Sequence, residues 1–507
     1  MQYQSTILAS REYTFSQMLR ESVPMCGGLF VPCELPRIDQ AFLAKLKPLS
    51  VQDRAAVIVK LFAPELSESQ INLICQTAFD PMRFQSDLIY EIKPLNPYLM
   101  NPLFLFVEHG PTSCYTDITH AFSLACLQTV IKEDEKWYIV AGESIQSIKS
   151  LVALNSGDSG WEPVLIADSK AVNNYILREI QHIQNNVNEN VDRLMLYTIN
   201  GKVQSVEYFP QNLFYQEKLR LELKEQNKYL AAVGSLAFTH YLALLIILLS
   251  AYLDLLNKEL ISDGEDFDLA FPNLNLDFLY VGQLMQKMGL PVSNLIAASN
   301  NNRTMVDFLH KGKNKAKRKF SRTNTPALDR IYFLNLERVL FEITDYDCQM
   351  TCQIMNDLFR AERINLTPEI KQRISGLVYS GYANNNQTVE QIRDWYIKTD
   401  YLFDPYTALT LFVLERFEQN ISKANKTILP VIESPLLSAQ VSAEAIFAQE
   451  NIVKRNYNRL LEELSQESGV AIPLAALSAE QKPEVVNLDI DKMNERIQAD
   501  LFKTGFN

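Results

Sequence analysis

Apolar runs of strand length alternate with segments of helical periodicity along the middle of this chain. Four of these runs have the length and composition of buried strands, and they cover residues 137–141, 164–167, 194–198 and 295–298. Regular alternation of such strands with helices is typical of proteins built on a largely parallel sheet. The pattern therefore predicts an α/β sheet protein.

The most apolar stretch of the chain covers residues 229–253, which contain no Asp, Glu, Lys or Arg. A stretch of that length is long enough to cross a bilayer. It is interrupted, however, by the small or polar residues Gly234, Ser235, Thr239 and His240. We therefore expect a helix buried beside the sheet, and no membrane span.

A second helical pattern lies near the C-terminus, where apolar residues recur with helical spacing over residues 443–464. It has the appearance of a helical insertion at about residues 442–465. A helix with an apolar stripe needs a partner surface. The sequence leaves two partners open, which are the chain's own core and a second subunit.

The composition excludes some classes of partner. The chain has 507 residues, 47% of them hydrophobic, and a formal net charge of −12. This charge argues against general nucleic-acid binding, and we expect no DNA partner. The one dense basic patch starts at Lys311 and ends at Arg322. It has the pattern of a solvated loop, and it is also the candidate docking site for an acidic protein partner or RNA.

Two further features indicate the compartment and the use of the cysteines. The N-terminal residues lack the basic start and apolar core of a signal peptide, so we expect a cytoplasmic protein. The chain has 7 cysteines, and Cys348 and Cys352 lie four residues apart without a nearby histidine. This spacing favours reduced thiols on a helix, and we expect no metal site.

One segment carries a specific resemblance. The run Glu108-His109-Gly110-Pro111-Thr112-Ser113-Cys114-Tyr115-Thr116-Asp117 resembles the cofactor-lysine segment of the threonine synthase family. Where that family has its lysine, this chain has Thr116. A pyridoxal phosphate enzyme holds its cofactor as an imine on a lysine amine, which later moves protons. A threonine hydroxyl can do neither.

Other segments resemble the same family, in the same order along the chain. Cys26-Gly27-Gly28 opens an N-terminal match, Lys287-Met288-Gly289 and Asn300-Asn301-Asn302 follow, and Thr325-Pro326-Ala327-Leu328-Asp329 precedes Asn335-Leu336-Glu337-Arg338. Asp404-Pro405-Tyr406-Thr407-Ala408 resembles the family's Asp-Pro-His-Thr-Ala, with Tyr406 replacing the histidine. The resemblance thus covers nearly the whole chain.

The resemblance implies a fold and a domain organisation. The expected fold is the tryptophan-synthase-β-like, fold type II fold of pyridoxal phosphate enzymes, a two-domain open sheet with an extra N-terminal domain. We expect the N-terminal domain at residues 1–94 and a small α/β domain at 95–215, which carries the former lysine segment. Residues 216–507 then form a large α/β domain with the C-terminal insertion.

Both cofactor anchors of the family are altered. Its phosphate cradle, Pro-Ser-Gly-Asn-Phe-Gly, is represented by Pro272-Asn273-Leu274-Asn275-Leu276-Asp277, so both glycines are lost and one has become a carboxylate. A carboxylate opposing a phosphate charge costs about 4 kcal/mol at roughly 4 Å and an effective dielectric near 20. Its second anchor, a turn after a strand, is represented by residues 142–147, while the similar run at 155–160 falls in a loop before the next strand.

The substrate side is altered too. Gly234-Ser235-Leu236-Ala237-Phe238-Thr239-His240 resembles the family's Asn-Ser-Ile-Asn-Trp-x-Arg, and His240 stands in the arginine position. A neutral imidazole replaces a guanidinium phosphate clamp poorly. By the same resemblance, the remains of the cleft are expected at His109, Thr112, Asp117, Ser144, Ser235, His240, Asn275, Asp277 and Thr325.

Two functions remain open. The first is a catalytically inactive threonine synthase-like pseudoenzyme, without cofactor, that binds a protein partner or a small ligand, alone or as part of a homo- or hetero-oligomer. The second is an active pyridoxal phosphate-dependent lyase that converts O-phosphohomoserine to threonine and phosphate. It would need a lysine from elsewhere in the chain, such as Lys149 or Lys170. The simultaneous loss of lysine, anchors and clamp favours the first.

Overall fold

The described residues of the chain form three β-sheets. The computed structural model describes residues 1–84, 88–96, 98–142, 144–155, 160–187, 194–201, 208–311, 320–330, 333–361, 366–447 and 456–503. The N-terminal sheet is antiparallel and has the order β2-β1-β3, with β1 at Tyr3–Ser5, β2 at Leu8–Tyr13 and β3 at Phe30–Pro32.

A six-stranded sheet forms the larger α/β layer. Its order is β12-β11-β10-β13-β5-β4, and all neighbours are parallel except β4 and β5. The strands are β4 (Glu91–Lys93), β5 (Leu103–Phe106), β10 (Phe267–Pro272), β11 (Val292–Ser299), β12 (Tyr379–Tyr382) and β13 (Lys426–Val431). Every residue of β10 is buried, as expected for a strand covered on both faces.

A five-stranded, fully parallel sheet forms the smaller layer. Its order is β14-β8-β7-β6-β9. The strands are β6 (Lys136–Ala141), β7 (Trp161–Asp168), β8 (Met195–Asn200), β9 (Lys228–Ala232) and β14 (Val486–Asp489). The α/β architecture and the four strands predicted from the apolar runs are confirmed.

The helices cover the faces of these sheets. In the first half of the chain they are α1 (Phe15–Glu21), α2 (Gln40–Leu46), α3 (Val51–Phe62), α4 (Glu68–Ala78), α5 (Thr116–Gln128), α6 (Ile145–Ala153), α7 (Asn174–Val187), α8 (Phe209–Phe214), α9 (Glu217–Glu225) and α10 (Phe238–Asn257). In the second half they are α11 (Asp277–Met288), α12 (Thr304–Lys311), α13 (Leu336–Ile343), α14 (Cys348–Ala361), α15 (Pro368–Leu377), α16 (Asn385–Thr399), α17 (Pro405–Glu418), α18 (Ala439–Ile446), α19 (Tyr457–Ser468) and α20 (Ile490–Phe502).

The two α/β sheets interleave along the sequence. Strand β5 lies before the smaller sheet in the chain but pairs in the larger one, next to β13. Strand β9 follows residue 215 but pairs with β6 in the smaller sheet, as the late strand β14 does with β8. The chain thus crosses between the sheets several times, and the boundaries at 94 and 215 stay predictions.

The apolar stretch forms α10, which is long and apolar enough to cross a membrane by length and composition alone. In the structure, 94% of its most apolar window is buried inside the protein. It packs against the helices α3, α5 and α11. The sequence predicted a buried helix for this segment, and the burial of α10 confirms it.

A buried arginine connects the N-terminal sheet to the segment before α10. The Arg338 side chain donates to the carbonyl oxygens of Phe30, Ser235 and Leu236 at 2.9, 2.7 and 2.9 Å. Its neighbour Glu337 accepts from the hydroxyl of Thr6. A guanidinium that satisfies several carbonyls at once ties distant segments together. The Asn-x-Glu-Arg segment therefore has a structural role here.

The C-terminal helical pattern forms α18 and α19, and residues 448–455 between them lie outside the described residues. Leu460, Leu461 and Leu464 of α19 are buried in a small cluster with Leu436 and residues of α18. The apolar stripe therefore packs against the chain's own core.

Most of the basic run, residues 312–319, also lies outside the described part, and its docking role stays a prediction.

Candidate functional site

Thr116 is the first residue of α5 and is buried. The turn before it is closed by Asp117, whose carboxylate accepts from the Thr112 N–H at 2.8 Å and the Thr112 hydroxyl at 2.7 Å. Within the described part of the chain, the Thr116 hydroxyl has no hydrogen-bond partner, although the Cys114 thiol stands beside it. By the resemblance, this is the turn expected to present a lysine, and here it presents a hydroxyl.

The carboxylate of Asp277 is the centre of a buried polar cluster. The hydroxyls of Ser235 and Tyr241 lie 3.0 and 3.2 Å from its Oδ1, and the hydroxyl of Tyr115 lies 3.2 Å from its Oδ2. The Nε2 of His240 also lies 3.2 Å from Oδ2. Asp277 is the first residue of α11, where the helix dipole favours a negative charge. The carboxylate thus lies where the resemblance puts the end of the phosphate cradle.

The backbone before α11 keeps an unusual conformation without its glycines. Asn275 and Leu276 have φ values of 45° and 64°, in the left-handed region that non-glycine residues seldom adopt. Leu276 is nevertheless fully buried, so its side chain occupies core space. The loop thus makes a tight turn without glycine, and the buried Leu276 side chain fills the space beside it.

The cavity at Thr116 is small. It holds about 20 Å³, enough for about one water molecule, which needs roughly 10–15 Å³ on this measure. Its lining residues belong to helices and to segments that follow strands of both α/β sheets. The lining residues are Cys114, Tyr115, Thr116, His120, Ser144, Gln146, Ser147, Gly234, His240, Leu274, Asn275, Ala327, Arg330, Tyr406, Ile432 and Glu433.

The other expected cleft residues divide into two groups. Ser144 caps α6 by accepting from the Ser147 N–H, and it lines the cavity with His240 and Asn275. His109 and Thr325 do not line it. The Nδ1 of His109 lies 3.2 Å from the Leu88 carbonyl, and Thr325 belongs to a polar network with Asn300. Glu143, within the altered anchor turn, lies outside the described residues.

Three buried carboxyl groups form an acidic cluster beside the cavity. Burial, with the negative charge of Asp404 as a second cause, raises the pKa of Glu433 to about 8. Burial also raises the pKa of Glu108 to about 8 and that of Asp404 to about 6. Asp404 caps α17 and accepts from two backbone N–H groups, so it retains a charge more easily than Glu433. Burial beside Asp404 therefore favours the protonated form of Glu433.

Because of the acidic cluster, we expect the free energy of unfolding to fall as the pH rises. A carboxyl whose pKa is raised in the folded state stabilises the protein below its unfolded pKa, and this stabilisation is lost as pH rises toward the folded value. For Glu433 and Glu108 that window runs from about 4.5 to about 8. We expect Glu433→Gln to flatten the fall in unfolding free energy between pH 5 and 8, as measured by urea denaturation. Glu462→Gln, on an exposed part of α19, should leave the slope unchanged, and identical slopes for wild type and Glu433→Gln would contradict the assignment.

A larger cavity of about 430 Å³ lies next to the first and shares Ser144, Gln146, Ala327, Arg330 and Tyr406 with it. Lys149 and Lys170 line this second cavity. The ammonium of Lys149 lies 2.9 Å from Glu179 Oε2 and donates to the Ala475 carbonyl at 2.8 Å. Neither lysine lines the cavity at Thr116.

The described part of the chain contains no group of three or more His, Cys, Asp or Glu residues able to hold a metal ion.

Sequence reasoning missed several residues of the site. Tyr115 lies in the segment that resembles the lysine loop, but its contact with Asp277 was not predicted. Tyr241 contacts Asp277, and Glu433 and Arg330 line the cavity, without a local signal for these roles. Glu433 is visible in the sequence as an acidic residue soon after β13. Its burial beside Asp404 follows only from the fold.

Comparison with known proteins shows that the sequence of this chain is similar to those of threonine synthases. Residues 2–79 match the family model described as threonine synthase N terminus. Threonine synthase of Saccharomyces cerevisiae is 24% identical over 474 residues, which cover 88% of each chain. Threonine synthase-like 1 of Homo sapiens is 21% identical over 433 residues, covering 80% of this chain and 54% of the relative. The chain therefore spans about half the length of the threonine synthase-like 1 proteins that it matches.

Solved structures show the same fold. The pyridoxal phosphate-bound threonine synthase from Brucella melitensis superposes with a TM-score of 0.78 at 18% identity, covering 99% of this chain and 100% of that one. Yeast threonine synthase gives a TM-score of 0.77 at 19% identity, with 99% of each chain covered. The fold is thus that of the fold type II pyridoxal phosphate enzymes. Within that class, the chain is a divergent relative of the threonine synthases.

The residues at Thr116 do not fit the cofactor of this fold class. Small-molecule sites usually enclose roughly 300–1,000 Å³, whereas the cavity at Thr116 holds about 20 Å³. By the resemblance, the expected lysine position carries the Thr116 hydroxyl, and the expected end of the phosphate cradle carries the Asp277 carboxylate. A cofactor phosphate placed there would meet an anion that already has several close polar neighbours.

Proposed function

We propose that the chain is a threonine synthase-like pseudoenzyme, which keeps the fold of the family and acts by binding. The observation that carries the proposal is the Thr116 cavity, which has room for about one water molecule and presents a hydroxyl. The Asp277 cluster supports it, because an internal carboxylate occupies the place expected for a cofactor phosphate. We place the protein in the cytoplasm, where it binds a small ligand or a protein partner.

The experiment that tests this proposal is a turnover assay on the full chain. Purified protein, pyridoxal phosphate and O-phosphohomoserine are combined, and threonine and released phosphate are both measured. We expect neither product above a protein-free control, while yeast threonine synthase under the same conditions should form both. Stoichiometric formation of threonine and phosphate by this chain would refute the pseudoenzyme proposal.

One observation favours a second candidate, an active threonine synthase with a relocated lysine. Lys149 and Lys170 line the cavity of about 430 Å³, which is large enough for a small cofactor. Lys149 is held by Glu179 and the Ala475 carbonyl, which makes Lys170 the freer candidate for an imine. Lys170→Arg would abolish activity if this second candidate holds, and would change nothing under the first.

A further inference from the structure

A third cavity, the Glu337 cavity, is separate from the two already described. It holds about 650 Å³, within the usual range for small-molecule sites of roughly 300–1,000 Å³. Residues of α8, of α14, of the start of α13 and of the turn at Gly27 and Gly28 line it. It shares no lining residue with the cavity at Thr116 or with the cavity that Lys149 lines. A ligand here would therefore occupy a site other than the cofactor position implied by the resemblance.

Two helices present regularly spaced side chains to the Glu337 cavity. On α8 and its flanks, the lining residues recur at intervals of three and four positions, and they are Tyr208, Gln211, Asn212 and Tyr215. On α14 the lining has the same spacing, in Cys352, Met355 and Asn356. Residues three and four apart share one face of a helix. The tyrosine rings and the thioether give the cavity apolar walls, and the amides give it hydrogen-bonding groups.

The charges of the lining all have one sign. Glu337 supplies its carboxyl, and no Lys, Arg or His of the described residues lines the cavity. The other lining side chains that can ionise belong to two cysteines and two tyrosines, and these also become anions. The neighbouring Arg338 is not in the lining, and its guanidinium donates to three backbone carbonyls. The cavity therefore disfavours an anion and favours a cation.

Glu337 is positioned as an acceptor by the residues behind it. The Thr6 hydroxyl donates to Glu337 Oε1, and the same hydroxyl oxygen accepts from the Leu29 N–H at 2.9 Å. Burial raises the pKa of Glu337, although the bond from Thr6 and the charge of Arg338 favour the ionised form. A carboxylate has about four acceptor positions, so it can take a further donor. A cation beside it would favour the ionised form that burial disfavours.

We propose that the Glu337 cavity binds a small organic amine in its protonated form, with the ammonium group against Glu337 and the apolar body against Tyr208, Tyr215 and Met355. The faces of tyrosine rings also attract cations, so the same walls suit both ends of such a molecule. The inference goes beyond the proposed function, because the site holds whether or not the chain uses a cofactor.

The test is calorimetric titration of the full chain at low salt. Phenethylamine, phenethyl alcohol and hydrocinnamate share a phenyl body and are cationic, neutral and anionic at neutral pH, and putrescine is an amine without the ring. We expect saturable binding of phenethylamine, at least tenfold weaker binding of the alcohol and of putrescine, and no binding of hydrocinnamate. Absence of phenethylamine binding at millimolar concentration would overturn the proposal, as would equal affinity for the three phenyl compounds.

Glu337→Gln assigns the binding to this carboxyl. The variant keeps an oxygen that can accept from Thr6 and removes the charge. It should weaken phenethylamine binding tenfold or more, because hydrogen bonds between charged groups are the strong ones. Glu390→Gln makes the same change on an exposed part of α16, outside the lining, and should leave the affinity unchanged. Equal affinity of wild type and folded Glu337→Gln would contradict the site.

A second variant decides the matter if Glu337→Gln fails to fold. Asn356→Lys places a cation in the lining at an exposed position of α14 and retains Glu337. It should abolish phenethylamine binding and allow hydrocinnamate to bind, whereas Asn386→Lys, exposed on α16, should change neither. Undiminished phenethylamine binding by Asn356→Lys would overturn the proposal. Threonine formation by the wild type would instead refute the proposed function, and these comparisons would still decide the amine site.

Discussion

Ile247→Asp is expected to abolish folding or to lower the unfolding free energy by several kcal/mol. Ile247 is 2% exposed within α10, so the new carboxylate would lie among apolar side chains without a cation. An unpaired buried charge costs several kcal/mol, and the lost apolar burial adds roughly 1.5–3 kcal/mol. Such a loss is a large fraction of the roughly 5–15 kcal/mol that stabilises a typical domain.

The chain offers a matched control on α16. Ile397 is 77% exposed, so Ile397→Asp makes the same chemical change in water. We expect that variant to stay within about 0.5 kcal/mol of wild type. Soluble yield and urea denaturation without detergent measure both. A stable, soluble Ile247→Asp protein would contradict the buried placement of α10, as would recovery of the wild type only with membranes.

Thr116→Lys is expected to leave threonine synthase activity at background. The new amine would enter a cavity of about 20 Å³ beside Glu433, with which it can form an ion pair. By the resemblance, the Asp277 carboxylate, the altered turn before α6 and His240 would still occupy the expected places of the cradle, the second anchor and the clamp. Each missing electrostatic contact costs about 3 kcal/mol of transition-state stabilisation, or roughly a hundredfold in rate. Three together amount to about a millionfold.

The assay for Thr116→Lys is a single turnover with O-phosphohomoserine and added pyridoxal phosphate. Thr116→Ser keeps a hydroxyl at the position and defines the background, and circular dichroism confirms that both variants are folded. Threonine formation above that background would mean that the cleft is still arranged for the family's reaction. The pseudoenzyme proposal would then be wrong.

Local sequence patterns predicted the fold well, because strands and buried helices leave their signal in neighbouring residues. The apolar runs gave β6, β7, β8 and β11, and the uncharged stretch gave α10. Pairing between distant strands leaves no such signal. The membership of β9 and β14 in the smaller sheet is therefore visible only in three dimensions.

The candidate site was predictable only in part. The motif resemblance singled out Thr116, Asp277 and His240, because each differs from the residue that the resemblance expects at its position, and their roles stay predictions. It did not predict that Tyr115 and Ser235 would converge on Asp277, since these residues lie 162 and 42 positions away in sequence. The volume of the cavity could not be derived from the sequence either, because it depends on how Leu274 and its neighbours pack.

The most direct test of the central claim is the absorbance spectrum of the purified wild-type chain after incubation with pyridoxal phosphate. Borohydride reduction and peptide mass mapping then show whether any lysine carries the cofactor. We predict no imine band and no pyridoxyl-lysine, because Thr116 offers no amine and Asp277 opposes the phosphate. A stoichiometric yellow cofactor that is reduced onto one lysine, at position 149, 170 or elsewhere, would contradict the account.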